Sequence, residues 1–194
     1  MTSTRFPVLD AQDMTDLQRE VAAEISSGPR GGVKGPFLAL LHNPRLARCV
    51  QRVGEHLRFD TQLPPDVIEL AILVVARDWD CQYEWYAHER LARKNTSLSP
   101  DIMQAVAQGR HPEGMTPDQA TAYRFCIETL RDGEPGEAAY RDAAQRYGRE
   151  GVLDLVALCG YYTLLAMVLN TSRIPLPEGE PRPLAPRRRA GAQP

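Results

Sequence analysis

ELAILVVARDWDCQYEWYAHERLAR, Glu69 to Arg93, is the stretch from which the rest of the chain is read. It opens inside an apolar run, Val67 to Ala76, that one carboxylate, Glu69, interrupts. A helix that is apolar nearly all round is packed on most sides. The run therefore predicts a buried central helix, with Glu69 a buried acid facing a group that shares its proton or charge. Further on, Cys81, Glu84 and His88 are spaced by three and four residues, which puts all three on one helical face. Asp80 predicts a cap or a slight break between the two helices.

Working outward, Leu63-Pro64-Pro65-Asp66 starts the central helix, which runs to about Trp79, and the helix carrying His88 ends near Asn95. Upstream, Asp10 is a capping residue before an amphipathic helix with Met14, Leu17, Val21 and Ile25 inward. Gly28 to Pro36 holds four glycines and two prolines and predicts a loop beside the site. Phe37 to His42 reads as a short helix. The next begins at Pro44 and carries Leu46, Val50, Val53 and Leu57 on one stripe. Downstream, Ser99-Pro100-Asp101 and Thr116-Pro117-Asp118 are helix starts, the first with Ile102, Met103 and Val106 inward. Glu137 to Arg146 predicts a shorter helix, separated by Gly148 to Gly151 from a long last helix ending near Asn170. No segment alternates with a period of two, so the domain reads as all-α.

The 194 residues, 43% of them apolar, suit one globular domain with a real core. We place it at residues 1–177. From Pro175 the composition turns to PLPEGEPRPLAPRRRAGAQP, and residues 178–194 are expected to form a disordered Pro/Arg-rich tail, with Arg187 to Arg189 solvated. A net charge of -2 argues against nucleic acid and against an anionic membrane surface. MTSTRFPVLD lacks the apolar core of a signal peptide, so a cytoplasmic location is expected. Leu155 to Leu169 is too short and interrupted to span a bilayer and reads as a buried helix. Cys49, Cys81, Cys126 and Cys159 form no CxxC pair, which suggests neither a disulfide framework nor a zinc site. They read as small buried hydrophobes, with Cys81 set apart by its neighbours.

Two accounts of Glu69, Glu84 and His88 stay open on spacing alone. A buried Glu/His/Glu set holds a mobile proton near neutral pH, which is general acid/base equipment. Alternatively, Glu84 and His88 form a local helix pair, with Glu69 satisfied by backbone or by Arg77. A metal shared by Glu and His at i and i+4 lacks a third ligand.

Glu69, Cys81, Glu84 and His88, with YEWYAH at the centre, resemble the carboxymuconolactone decarboxylase family, whose members share the all-helical fold of the alkylhydroperoxidase D proteins. The resemblance runs from about Phe37 to Pro177 and includes GYYTLLAMVLN and the following IPLP. It implies an AhpD-like helical bundle. In the peroxidase branch the pattern is an upstream Glu, then CxxC and a His four residues after the second Cys. Glu69, Cys81 and His88 match those places, but Glu84 stands where the peroxide-reactive thiol belongs. A carboxylate cannot be that nucleophile or close a disulfide with Cys81. The decarboxylase branch looks like E-[FW]-x-x-H, which Glu84, Trp85 and His88 satisfy.

The resemblance thus implies a cofactor-independent decarboxylase or related lyase on a small carboxylated or lactone-like compound, with no metal. His88 would move a proton at a carbon next to a carbonyl, while Glu84 or Glu69 orients it or shares the proton. Arg77 is the candidate clamp for a substrate carboxylate and Tyr83 a hydrogen-bond donor, with Cys81 and Trp85 in the same lining. A thiol-dependent redox protein using Cys81 and a non-catalytic ligand-binding protein are the alternatives. The expected partners are a small-molecule substrate and further copies of the chain, as a dimer- or trimer-based homo-oligomer.

Overall fold

The computed structural model describes residues 4–186. Among them there is no strand, and the fold is all-α. The helices are α1 (Asp16–Ser27), α2 (Pro36–Leu40), α3 (Pro44–Glu55), α4 (Pro65–Asp78), α5 (Gln82–Asn95), α6 (Pro100–Ala107), α7 (Pro117–Asp132) and α8 (Glu137–Ser172). A π-helical turn, His56–Asp60, extends α3.

The centre is α4, as its composition predicts. Every residue from Val67 to Arg77 is buried, and the helix packs against α5, α6, α7 and α8. Pro65 opens it at a position where the missing N–H is no loss. After Trp79 the chain turns through Asp80, whose φ of 49° is left-handed, a conformation that Asp tolerates better than most residues with a Cβ. The Cys81 N–H donates to Ala76 O at 2.8 Å and closes the corner. Cys81 therefore caps α5 instead of lying within it.

Several expected details shift. α1 begins at Asp16 and not after Asp10, because Thr15 and Gln18 form a reciprocal capping box. On α3 the inward face is Ala47, Val50, Gly54 and Leu57, while Leu46 and Val53 are exposed. That face lies against α1, and the other two residues of the expected stripe sit off to one side. Cys49 is exposed as well, unlike Cys81, Cys126 and Cys159. The expected break before the last helix is present, since Gly148 adopts φ 68° within α8. The α8 helix as a whole is long and apolar enough to cross a membrane, yet half of its apolar window is buried inside the fold, as in a core helix.

The segment after α8 departs most from expectation. Residues 178–186 form no helix, but they return to the start of α5 and are held there. Leu184 is buried in the main core. Its backbone N–H donates to Gln82 Oε1 at 3.0 Å, and its carbonyl accepts from Gln82 Nε2 at 3.1 Å. Arg77 Nη1 donates to Ala185 O at 2.9 Å, and Glu180 accepts from Tyr86 and Arg90. Proline-rich composition removes a helical period without removing pockets for single side chains. Arg187 to Arg189 lie outside the described residues.

Leu184→Ala is expected to cost about 2–4 kcal/mol of unfolding free energy, the usual loss for emptying a buried leucine site. Urea denaturation of the variant measures it, and an unchanged midpoint would mean that the segment is not anchored.

Candidate functional site

Three helices supply the buried polar groups. α4 contributes Glu69, α5 contributes Glu84 and His88, and α8 contributes Tyr161 and Tyr162. Glu69 and His88 are each 8% exposed and Glu84 only 3%. His88 Nδ1 lies 2.7 Å from Glu69 Oε2. With Glu69 ionised, Nδ1 carries the hydrogen and donates it, leaving Nε2 as the basic nitrogen. The ring is fixed further by Tyr162, which meets it edge-on with centroids 5.1 Å apart. Glu69 is thus the partner of His88 across two helices, and the i, i+4 pairing with Glu84 does not form.

Glu84 is left in a different state. Its Oε2 is buried without a hydrogen-bond partner. Burial pushes its carboxyl well above the usual carboxylate range, because ionisation there would strand a charge away from water. Burial therefore favours the neutral form of Glu84, next to an imidazole held by a second carboxyl group. A carboxyl group kept from ionising by burial, next to a hydrogen-bonded imidazole, is suited to proton transfer.

The remaining predicted residues divide. Cys81 is fully buried, and burial together with Glu84 pushes its thiol up to about 12. Arg77 is buried beside the corner, with Asp80 3.1 Å from Nη2 and the Ala185 carbonyl on Nη1. Tyr83 packs against Gly35 of the glycine-rich loop and lies 6.5 Å from Tyr86, ring to ring. Burial raises its hydroxyl pKa. Trp85 is in the core, with Nε1 donating to Glu89 at 3.1 Å. The structure therefore brings Glu69, Glu84 and His88 together and ties Arg77 and Trp85 to neighbours of their own.

Four residues in this region carry no signal in the sequence. Tyr161 and Tyr162 sit in an apolar run that reads as plain core, yet their rings meet edge-on at 5.2 Å and continue the line from His88. Arg30 belongs to the glycine-rich loop and Arg58 to the π-helical turn. Both positive charges reach Tyr161 and ease the ionisation of a hydroxyl that burial otherwise opposes. Gly54 leaves the space that Tyr161 occupies, because a Cβ there would stand 2.0 Å from Tyr161 Oη. Surface clefts of about 430 and 640 Å³ border α7 and α8 and contain none of these residues. Among the described residues, no three His, Cys, Asp or Glu side chains are grouped to hold a metal ion.

No family model matches the chain, and no curated protein matches it. Solved structures do. An uncharacterized peroxidase-related protein from Ralstonia eutropha JMP134, described as an alkylhydroperoxidase AhpD core, aligns with a TM-score of 0.73 at 20% identity, covering 90% of this chain and 93% of that one. An uncharacterized peroxidase-related protein from Silicibacter sp. TM1040 aligns with a TM-score of 0.66 at 17% identity, covering 88% of each chain. Likeness at this level speaks to architecture alone, and the architecture is the AhpD-like all-α fold.

Proposed function

We propose that the chain is a cofactor-independent acid/base enzyme, a decarboxylase or related lyase acting on a small carboxylated or lactone-like compound. The observation that carries this reading is the buried His88–Glu69 hydrogen bond of 2.7 Å beside a Glu84 whose buried Oε2 has no partner. Glu69 orients the imidazole and stabilises its charged form, as a carboxylate does in other histidine-based sites. His88 Nε2 takes or returns a proton at the carbon next to a carbonyl. In a decarboxylation the bond to the carboxyl carbon breaks, CO2 leaves, and its electron pair moves into the carbonyl as an enolate. Glu84 then gives its proton to the enolate carbon and recovers one from solvent. Low polarity around Glu84 favours this order, because a neutral acid is stable there and an enolate charge gains from a nearby donor.

A thiol-based redox role for Cys81 is the second reading, favoured by the description of the structural neighbours as peroxidase-related. The thiolate is the attacking species. A thiol with no exposure, pushed up to about 12, supplies almost none of it at neutral pH. The test is a screen for CO2 release from β-keto acids and carboxylated lactones. On the substrate that turns over, His88→Gln and Glu84→Gln should each lower kcat by at least about 100-fold, in line with the usual worth of a general acid or base. Cys81→Ser should retain activity, and iodoacetamide at pH 8 should label Cys49 before Cys81 in the folded protein. Peroxide consumption lost on Cys81→Ser, with no CO2 release, would reverse the assignment. Ligand-induced thermal shifts without any product would favour a binding protein.

Glu84 also predicts a pH dependence of stability. Between its ordinary value of 4.5 and its raised one, the folded protein holds a proton that the unfolded chain has lost. Stability contributed by this group therefore falls as pH rises, by about 1.4 kcal/mol per unit across that window. Glu84→Gln has no proton to lose, so its stability relative to wild type should climb as pH rises above 4.5. Urea denaturation of both proteins from pH 4 to 9 measures the difference, and a constant difference would contradict a desolvated Glu84.

A homo-oligomer belongs to the same proposal. Leu153, Val156, Leu164 and Met167 are exposed along one side of α8, with no charge among them. A second copy of the chain can meet that stripe across a two-fold axis. Light scattering after gel filtration should give a mass above that of one chain, and Leu153→Glu with Met167→Glu should lower it. A wild-type monomer would remove the proposal.

A further inference from the structure

Arg30 is the feature that the reading above leaves unused. Its Nε and Nη2 are buried against Tyr161 Oη, which lies close enough to accept from Arg30 but leaves the rest of that edge and its own O–H without an acceptor. Nε and Nη2 form one edge of the guanidinium, the pair of parallel donors that fits a carboxylate in two-point fashion. The plane is held by stacking, since Arg30 Cζ lies 4.5 Å from the centroid of the Phe37 ring. Tyr161 Oη and Arg30 Nη2 converge on the same spot, 2.0 and 2.8 Å from where a Cβ on Gly54 would stand. Tyr161 is only 8% exposed, so its hydroxyl cannot rely on bulk water. Leaving so many donors unpaired inside a protein is costly unless something accepts from them.

We propose that the Arg30 edge and the Tyr161 hydroxyl form an anion subsite that binds a carboxylate of a small organic acid, next to Glu84 and in line with His88. This rests on the proton-transfer reading for what happens at the other end of the molecule. From the subsite, the Tyr161, Tyr162 and His88 rings follow one another at 5.2 and 5.1 Å, so guanidinium and imidazole stand at the two ends of one row of rings. A carboxylate held by two charge-assisted hydrogen bonds is stabilised against leaving. The group bound at Arg30 is therefore a spectator, and the reacting carbon lies at the far end near His88 and Glu84. The substrate class is then an organic acid with an anchoring carboxylate at one end and an activated carbonyl, lactone or second carboxyl group at the other. Arg30 rides on the loop with Gly31, Gly32 and Gly35, whose positive φ values are open to glycine at no steric cost.

The experiment measures binding of benzoate, glutarate and 4-oxopentanoate by calorimetry, each beside its methyl ester. At least one acid should bind, with its ester at least about 10-fold weaker, reflecting loss of a charge-assisted pair. Arg30→Gln should weaken that acid by about 30-fold or more and Arg30→Lys by less, while Tyr161→Phe should produce a smaller loss. Circular dichroism and thermal midpoints of the variants check that the fold is kept. Equal binding of acid and ester, binding in Arg30→Gln within twofold of wild type, or no binding of any of the three acids would overturn the subsite. If Arg30→Gln abolishes binding while His88→Gln keeps turnover, the subsite stands and the proton-transfer reading falls. If His88→Gln abolishes turnover while Arg30→Gln binds normally, the reverse holds.

Discussion

The hydrogen bond between Glu69 and His88 joins the two helices on which the site is built, and it does so where water is almost excluded. A carboxylate in the middle of α4 is an expensive residue to bury, and the remaining residues of that helix are chosen as though to bury it. His88 relieves the cost by sharing a proton across 2.7 Å. Once that pair is set, Tyr162 has a ring edge to meet, α8 has a fixed approach to α5, and Glu84 has no partner left to claim. The polarity of one carboxyl group and the neutrality of its neighbour thus follow from a single pairing choice.

That choice bears directly on chemistry. Had Glu84 paired with His88 along one helix, Glu69 would have been the buried carboxyl group left without that partner. Pairing across helices leaves an oriented imidazole on one side and a buried carboxyl group without a partner on the other. Cys81 sits beside them at the helix cap, where burial and a neighbouring carboxyl group suppress its thiolate.

Much of this is legible before any coordinates. The apolar run around Glu69 identifies the central helix, and the proline-led starts at Pro65, Pro100 and Pro117 locate helices to within a residue or two. The gathering of Glu69, Glu84 and His88 follows from their setting and from family resemblance. What sequence spacing cannot supply is pairing across elements, because i, i+4 neighbours are visible in a chain and contacts over 19 residues are not. Tyr161, Tyr162 and Arg30 were hidden for a related reason. A tyrosine inside LVALCGYYTLLAMVL reads as core, and an arginine among glycines reads as loop, until a third segment shows that they face each other. The stripe on α3 failed because Leu46 and Val53 are apolar without being inward, and the segment after Pro175 because composition says little about single anchored side chains.

The anchored segment also has a meaning for how the chain is made. Arg77 finds its Ala185 carbonyl only across 108 residues, and Gln82 reaches Leu184 across 102. During synthesis the central helices emerge long before the strand of chain that closes over them. The corner between α4 and α5 thus has its polar groups satisfied and its leucine site filled only once that distant segment is present. Closure of the fold over that corner needs contacts across more than 100 residues, and such long-range closure slows folding relative to a bundle of purely local contacts.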